Sequence, residues 1–304
     1  MCRTSYQRRG GDSAWATPSA CGRVRLMSPS FHCASLPTYS HLLPSTDRHR
    51  MVDIMVADGL WDPYGNCHMG GYAELCAETL GIDRAAQDEH AEESYRRSRA
   101  AVADSLFAEE MVTVSVPKGR GKSVDVDTDD EPAASARPVS ASKPAFKKEN
   151  GTVTPANAST ISDGAAAVVL MSRAAAEKHG CTVLATVKGY GDAEQEPAFF
   201  TTAPAKALPK AVAHAGIDMG EVDFFEINEA FSVVSVANNQ LLGLDPTKVN
   251  VNGGAVSLGH PIGASGARIV VTLLHVLSQK GGKIGAAGIC NGGGGASAIV
   301  LEME

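Results

Sequence analysis

A chain of 304 residues, 44% of them hydrophobic, can bury two sizeable cores. Its formal net charge of -7 makes no electrostatic case for nucleic acid, which calls for a basic face, although a local cluster of Lys and Arg could still serve an anionic ligand. Seven cysteines without a CxxC pair favour reduced thiols inside a cell over a disulfide framework or a metal site, and no run of 18 apolar residues is present to span a membrane.

Residues 1–50 are rich in Arg, Ser, Pro, Cys and His, lack periodicity, and carry acidic residues only at Asp12 and Asp47. That composition suits an organelle transit segment, and equally a coding start placed upstream of the true one near Met51. Either way it predicts no stable secondary structure. From Met51 the text changes, with a turn rich in Asp, Pro and Gly before GNCHMGG (65–71). YAELCAETLGIDRAAQDEHAEESYRRSRAAVADSLF has helical spacing, broken at Gly81–Ile82, with Asp83 as N-cap of a second helix running toward Leu106. MVTVSV (111–116) alternates and predicts a strand. Residues 117–150 are polar, and the run VDVDTDDE reads as a solvated surface within a flexible loop.

In the next stretch, AAAVVLM (165–171) predicts a buried central strand, because its small residues allow close packing, and RAAAEKHG a short helix capped by Gly180. CTVLATVKGYGD and VDFFEIN read as strands, TTAPAKALPKAVAHAGI and EAFSVVSVANNQLLG as helices, and PTKVN as a turn into a short strand. A long helix over 263–279 is entered through the glycine turn GHPIGASG, and KIGAAGICNGGGGASAIVLEM predicts a hairpin of two apolar strands. Helices alternating with strands that lack a polar face imply an α/β sheet covered on both sides.

Three polar stretches near the C-terminus, the last two glycine-rich, carry the chemistry: FFEINEAF (224–231), VNVNGGAVSLGHPIGASGARI (249–269) and GICNGGGGASAIVL (288–301). Each presents one reactive side chain, Asn228, His260 or Cys290, and the glycines beside His260 and Cys290 let backbone N–H groups approach a ligand. An Asn, a His and a Cys brought together are candidates for proton transfer and oxyanion stabilisation. Each has a bland reading too: a helix cap for Asn228, a hydrogen-bonded core group for His260, an inert buried thiol for Cys290. Four glycines after Cys290 would weaken a strand for no packing gain, and they lack the order of a dinucleotide-binding loop.

NEAF, GGAVSLGHPIGASGAR and CNGGGG, in this order, resemble the thiolase family, specifically its acetyl-CoA acetyltransferases, over roughly residues 52–304. The resemblance implies a layered α/β/α/β/α fold, here with most of the first βαβ half missing. Residues 1–50 would be a leader, 51–153 a partial loop domain, 154–182 a remnant of the N-terminal domain, and 183–304 the C-terminal domain. It implies that Cys290 removes a proton from the α-carbon of a second acetyl-CoA, and that His260 hydrogen-bonds the thioester oxygen. Asn228 would position a water in an oxyanion hole, and the N–H of Gly292 would hold the acyl-enzyme oxygen. Glu229 would brace the loops rather than move a proton.

By the same resemblance, His68 and Met69 shape a narrow acyl pocket, Ser159 hydrogen-bonds the pantetheine, and Ala230 and Phe231 line its tunnel. Phe146 and Phe200 lie near the adenine or pantetheine, with an apolar core role equally open. The substrates implied are acetyl-CoA and acetoacetyl-CoA, with no metal or redox cofactor, in a homotetramer built as a dimer of dimers. No nucleic acid or membrane partner is implied. The location expected is cytoplasmic, or an organelle if residues 1–50 are a transit segment.

The family's nucleophilic cysteine, in a CxSG-type turn at a helix start, has no match here. Cys2, Cys21 and Cys33 stand in aperiodic text, Cys76 falls within a predicted helix, and Cys67 is read as lacking a glycine-lined helix start. Three readings stay open: an acetyl-CoA C-acetyltransferase impaired by that absence, a broader 3-ketoacyl-CoA thiolase, and a non-catalytic fragment or acyl-CoA-binding partner.

Overall fold

The computed structural model describes residues 53–119, 121–134 and 138–304. The expectation for residues 1–50 lies outside the described residues. In chain order, a short two-stranded ribbon pairs β1 (Trp61–Asp62) with β2 (Cys67–His68), and leads into α1 (Met69–Leu80) and α2 (Arg84–Ala103). β3 (Val114–Pro117), β4 (Ser123–Val126) and α3 (Glu131–Ala134) follow. Then come α4 (Arg173–His179), β5 (Ala185–Glu194), α5 (Pro204–Ala215), β6 (Phe224–Ile227), α6 (Ser232–Leu242), α7 (Ala255–Leu258), α8 (Ser265–Lys280), β7 (Ile284–Asn291) and β8 (Gly295–Met303).

Local chemistry explains the helix ends. Asp83 accepts a hydrogen bond from Ala86 N at 2.8 Å, so Gly81, left-handed at φ 66°, closes α1 and Asp83 opens α2 as the sequence predicts. Ser172 and Gly180 bracket α4 in the same way. The second predicted helix stops at Ala103 rather than Leu106, and residues 104–110 form turns instead. Asn228 does not cap α6, whose N-cap is Phe231.

The central sheet has the order β5-β8-β7-β6, antiparallel except for the parallel β6–β7 pair. Period-2 alternation splits its side chains between two cores. Ala286 and Val300 face α5, packing with Ala207, Leu208 and Ala211. Ala287 and Leu301 face α8, packing with Ile269, Leu273 and Leu277. The C-terminal half is therefore an α/β/α sandwich, and the described strands supply this one sheet of the layered fold. A third core joins α1 to α6 through Tyr72, Ala73, Val233 and Ala237. At the free edge of β5 the register shifts between Val187 and Gly189, and Lys188, ion-paired to Glu302 at 2.9 Å, blunts the edge.

Two expectations are corrected. AAAVVLM (165–171) is not a buried strand: it joins none of the described sheets, and Val169, Leu170 and Met171 are 76%, 55% and 44% exposed. Val169 makes an isolated β-bridge, but none of the named strands among the described residues lies beside the segment. Residues 117–150 are not simply a loop, because SVDV (123–126) forms β4 and pairs with β3 in an antiparallel hairpin. Alternating Val and Asp hid that strand as a charge run. Among the described residues no helix is long and apolar enough to cross a membrane.

Candidate active site

The sheet carries Asn228 and Cys290 to the same end. Asn228 follows β6 directly, and its N–H donates to Gly288 O at 3.0 Å, which continues the β6–β7 register one step past Ile227↔Gly288. Cys290 stands two residues further along β7, paired with Ala296 across the glycine turn. The loop 250–263 supplies the third group. Gly259 adopts φ 89°, and a β-carbon there would lie 2.3 Å from Ser162 Oγ, so only glycine lets the chain turn this close beneath residues 160–162. His260 N–H then donates to Thr160 O at 3.0 Å.

The hydrogen bonds around His260 set its tautomer. Ser265 has one hydroxyl proton and donates it to Pro261 O at 3.0 Å, so Nδ1–H of His260 donates to Ser265 Oγ at 2.6 Å. The Nε2 lone pair is then left to accept from Asn228 Nδ2 at 3.3 Å. Burial, reinforced by the Arg268 guanidinium, lowers the imidazole pKa to about 4, so the ring is neutral at pH 7. Among the described residues Asn228 Oδ1 is buried without a partner, an acceptor left for a water or substrate atom. Cys290 is 8% exposed, and burial pushes its thiol up to about 12. No hydrogen bond joins Cys290 to the Asn228–His260 pair among the described residues; the strand register alone brings them to one end of the sheet.

Glu229 organises the loops behind this pair. Oε1 accepts from His90 Nε2 (3.0 Å) and Asn250 Nδ2 (2.9 Å), and Oε2 from Ser94 Oγ (2.9 Å) and Val256 N (3.1 Å). Burial alone would raise its pKa, but His90, Asn250 and Ser94 overcome that and hold it at about 2. A β-carbon on Gly254 would sit 2.2 Å from this carboxyl carbon. One carboxylate thus ties α2, the end of β6 and the His260 loop together. A second buried carboxyl, Glu226, lies 3.6 Å from Arg268, and burial raises it to about 8 against the pull of that guanidinium.

A second group of residues forms a wall beside Cys290. The His68 ring stacks on Phe146 at 4.8 Å between centroids, and Phe146 meets Phe231 edge-on at 6.3 Å. His68 Nδ1 accepts from Gly70 N at 2.9 Å, which caps α1. A β-carbon on Gly292 would lie 3.8 Å from Met69 Sδ, so the 290–295 turn rides over Met69. Phe231, Met69 and Cys290 share one buried cluster. Ser159 donates its hydroxyl to Ala230 O at 2.8 Å, which ties it to the chain and leaves only its lone pairs for a ligand. Phe200 is 3% exposed in the same cluster, which gives it the core role.

Among the described residues four cysteines occur. Cys67 departs from expectation: it directly precedes the N-cap His68, and its Sγ would lie 2.6 Å from a β-carbon on Gly71 in the first turn of α1. It therefore does stand at a glycine-containing helix start, which GNCHMGG hid because the cap is a histidine. His90, Ser94, Asn250, Ser265 and Arg268 were also missed. Only proximity in the fold marks them, apart from the i, i+4 spacing of His90 and Ser94. No group of three or more His, Cys, Asp or Glu side chains among the described residues could hold a metal ion.

Comparison with known proteins fits this geometry. A thiolase N-terminal domain model matches residues 21–174, and a thiolase C-terminal domain model matches residues 181–303. The chain belongs to the thiolase family. Acetyl-CoA acetyltransferase 2 of Arabidopsis thaliana is 57% identical to this thiolase over 258 residues, 83% of this chain and 63% of the relative. The acetyl-CoA acetyltransferase of Schizosaccharomyces pombe is 54% identical over 253 residues, again 83% of this chain and 64% of that one. The chain thus spans a little under two thirds of the length of these curated relatives. Among solved structures, the Bacillus anthracis acetyl-CoA acetyltransferase superposes with a TM-score of 0.81 at 37% identity, covering 87% of this chain and 67% of that one. The Acat5 thiolase from Ascaris suum, solved in complex with coenzyme A, gives a TM-score of 0.79 at 43% identity over 86% and 68%.

Proposed function

We propose that this chain carries the carbanion-forming half of a reversible Claisen condensation, that of an acetyl-CoA C-acetyltransferase joining two acetyl-CoA into acetoacetyl-CoA and CoA. The single observation that carries the reading is the neutral His260, held by Ser265 and Asn228 at the sheet end where β7 delivers Cys290. In the condensing direction Cys290, once its thiol proton has passed to the thiolate that leaves when the acyl donor is formed, takes a proton from the acetyl methyl group. The enolate oxygen that forms is stabilised by hydrogen-bond donors, among them a water held by Asn228. The enolate carbon then attacks an acyl thioester, and the thiolate released from it takes up a proton. In the cleaving direction Cys290 gives its proton to the departing acetyl-CoA enolate. A thiol held protonated by burial suits that direction.

The wall of His68, Met69 and Phe146 supports a short acyl group, since an imidazole, a thioether and a stacked ring leave little volume for a longer chain. The names of the relatives support the same substrate class. The reaction asks for no metal or redox group, because the thioester itself acidifies the α-carbon.

The test isolates the proton-transfer step from acylation. The purified chain is incubated with acetyl-CoA in D2O, and deuterium entering the acetyl methyl is followed by NMR. Exchange is expected, is expected to vanish in Cys290→Ala, and to fall in Asn228→Ala. Exchange no faster than without protein, or unchanged in both variants, would overturn the reading. Intact mass measured on the same samples reports whether any cysteine, Cys67 in particular, takes up an acetyl group.

A further inference from the structure

Next to the His260–Asn228 pair runs a buried column of polar groups that the proton transfer itself does not use. The helix α8 carries Ser265, Arg268 and Thr272 along one face, at the i, i+3, i+7 spacing. Ser265 accepts from Nδ1–H of His260, Arg268 approaches Glu226, and Thr272 donates to Glu110 Oε1 at 3.4 Å. On β6, Glu226 stands two residues before Asn228, and it faces α8 because Phe225 and Ile227 on either side of it pack toward α5. The His260 contact, the Glu226 contact and the Glu110 contact therefore follow one another along α8.

The middle contact is not a closed salt bridge. Arg268 Nη1 stands 3.6 Å from Glu226 Oε2, beyond hydrogen-bond distance. Both Glu226 oxygens, Arg268 Nε and Arg268 Nη1 are buried without a hydrogen-bond partner among the described residues. Glu226 is 1% exposed, and a carboxyl buried so completely ionises only where a partner offsets its desolvation. The charged groups around it are Arg268 on α8, Glu110 on the turn after α2, Glu229 beyond the end of β6, and Arg97 on α2. Arg97 is engaged by Glu93 and the carbonyls of Val249, Asn250 and Pro246, and Glu229 is an anion satisfied by its four donors. Arg268 also faces His260 and Asp129, whose carboxyl is raised by burial. Burial raises Glu226 to about 8 and Glu110 to about 7, so the counter-charge nearest the guanidinium is absent at neutral pH and arrives in the alkaline range.

We propose that Glu226 and Arg268 form a charge switch beside the oxyanion position: while Glu226 holds its proton, the guanidinium charge is unopposed and stabilises the negative oxygen that forms at His260 and Asn228, and loss of that proton cancels it. For its effect on rate the inference rests on the proton-transfer reading above; its effect on the His260 ring does not. Both are positioning residues, acting through their field on the His260–Asn228 pair, and a buried site transmits such a field far better than water does. The same guanidinium already helps to hold His260 neutral. The switch has a distinctive sign. A thiol acting as base gains as pH rises, whereas here the enolate loses support in the alkaline range.

The experiment follows the His260 ring by NMR, on the full chain with 13C-labelled histidine, together with deuterium entry into acetyl-CoA. The His260 signal, assigned by its loss in His260→Gln, should show a step with a midpoint of about 8, because the charge beside the ring changes while the ring stays neutral. Glu226→Gln, neutral at every pH, should abolish the step. Glu110→Gln should keep it at a lower midpoint, since one neighbouring carboxyl that raises Glu226 is gone. Arg268→Gln should move the acidic midpoint of His260 upward from about 4. Between about pH 6.5 and about pH 9.5 the exchange rate of the unchanged chain should fall by on the order of tenfold, the effect of one charge within about 10 Å, and that of Glu226→Gln should not. The proposal is overturned by a His260 signal without the alkaline step, by a step that survives Glu226→Gln, by an acidic midpoint unmoved in Arg268→Gln, or by the same pH dependence of exchange in both chains. Exchange absent at every pH overturns the proton-transfer reading instead, and the ring signal then decides the switch.

Discussion

β7, with the sequence IGAAGICN, and the segment 165–171, AAAVVLM, are both runs of small and aliphatic residues. One is held between β6 and β8 with α8 and α5 on its two faces, and its Ala286 and Ala287 are fully buried. The other joins none of the described sheets, and three of its large side chains are exposed. Composition makes each segment equally fit for burial. What separates them is the company of paired strands and covering helices. β7 carries Cys290 one residue before its end, so the region that holds the reactive groups is also a region of close packing.

The comparison breaks if the site end of the sheet proves no more tightly held than the outer segment. The largest effect expected is from Glu229→Ala, which leaves His90, Asn250, Ser94 and the Val256 N–H without their acceptor. It should cost about 3–5 kcal/mol, as removal of one member of a buried charged network does. The urea midpoint should fall, and Glu229→Gln should recover part of the loss. A change under about 1 kcal/mol would show that the carboxylate does not brace α2 against the His260 loop.

Next in size is Leu273→Ala on α8. Leu273 is fully buried beneath the sheet, and a β-carbon on Gly285 of β7 would lie 2.7 Å from its Cδ1. A cavity there should cost about 2–5 kcal/mol. A smaller loss would mean that β7 is not held from this side.

The pH dependence sharpens the same contrast. Glu226 has its carboxyl raised from 4.5 to about 8 by burial, so between those values the folded chain binds more protons than the unfolded one. Stability therefore falls as pH rises through that window. Glu110, raised to about 7 by burial, adds to the same slope. His260 acts in the opposite sense at lower pH. With its folded pKa lowered to about 4, the unfolded chain binds more protons between there and 6.5, and stability is lost as pH falls. Glu226→Gln should flatten the alkaline decline by on the order of 1–2 kcal/mol, read from urea midpoints at pH 6 and pH 8.5. An unchanged slope would place the titration elsewhere.

Much of this was legible in the chain. The glycine and Asp caps of α1, α2 and α4 are local chemistry, and local chemistry is written in consecutive residues. His260 and Cys290 were legible for a related reason, since each stands beside glycines that no packing demand explains, and Asn228 because a polar residue ends the apolar run VDFFEI. His90, Ser94 and Asn250 were not legible, because a buried carboxylate recruits partners from whatever element passes by. The hairpin was misread because Asp125 of β4 and the Asp residues that follow it look like a charge run until the partner strand is known. The segment 165–171 was misread because an apolar run states a preference, and satisfying it takes a neighbour contributed from elsewhere.

That last point makes the smallest expected effect the most discriminating. Val169→Thr with Leu170→Gln removes apolar surface where the structure shows solvent, so the cost should stay within about 0.5 kcal/mol, as for other exposed substitutions. Loss on heating through aggregation should decrease at the same time, because fewer apolar side chains are offered to other chains. A loss of about 2 kcal/mol or more would show that Val169 and Leu170 are covered in solution, as β7 is. Repeating the measurement at several protein concentrations then separates the two possible covers. A loss independent of concentration means that another part of the same chain lies over 165–171, whereas a loss that grows with concentration in the parent chain means that a second copy does. In either case the difference between β7 and this segment would be one of partner rather than of burial.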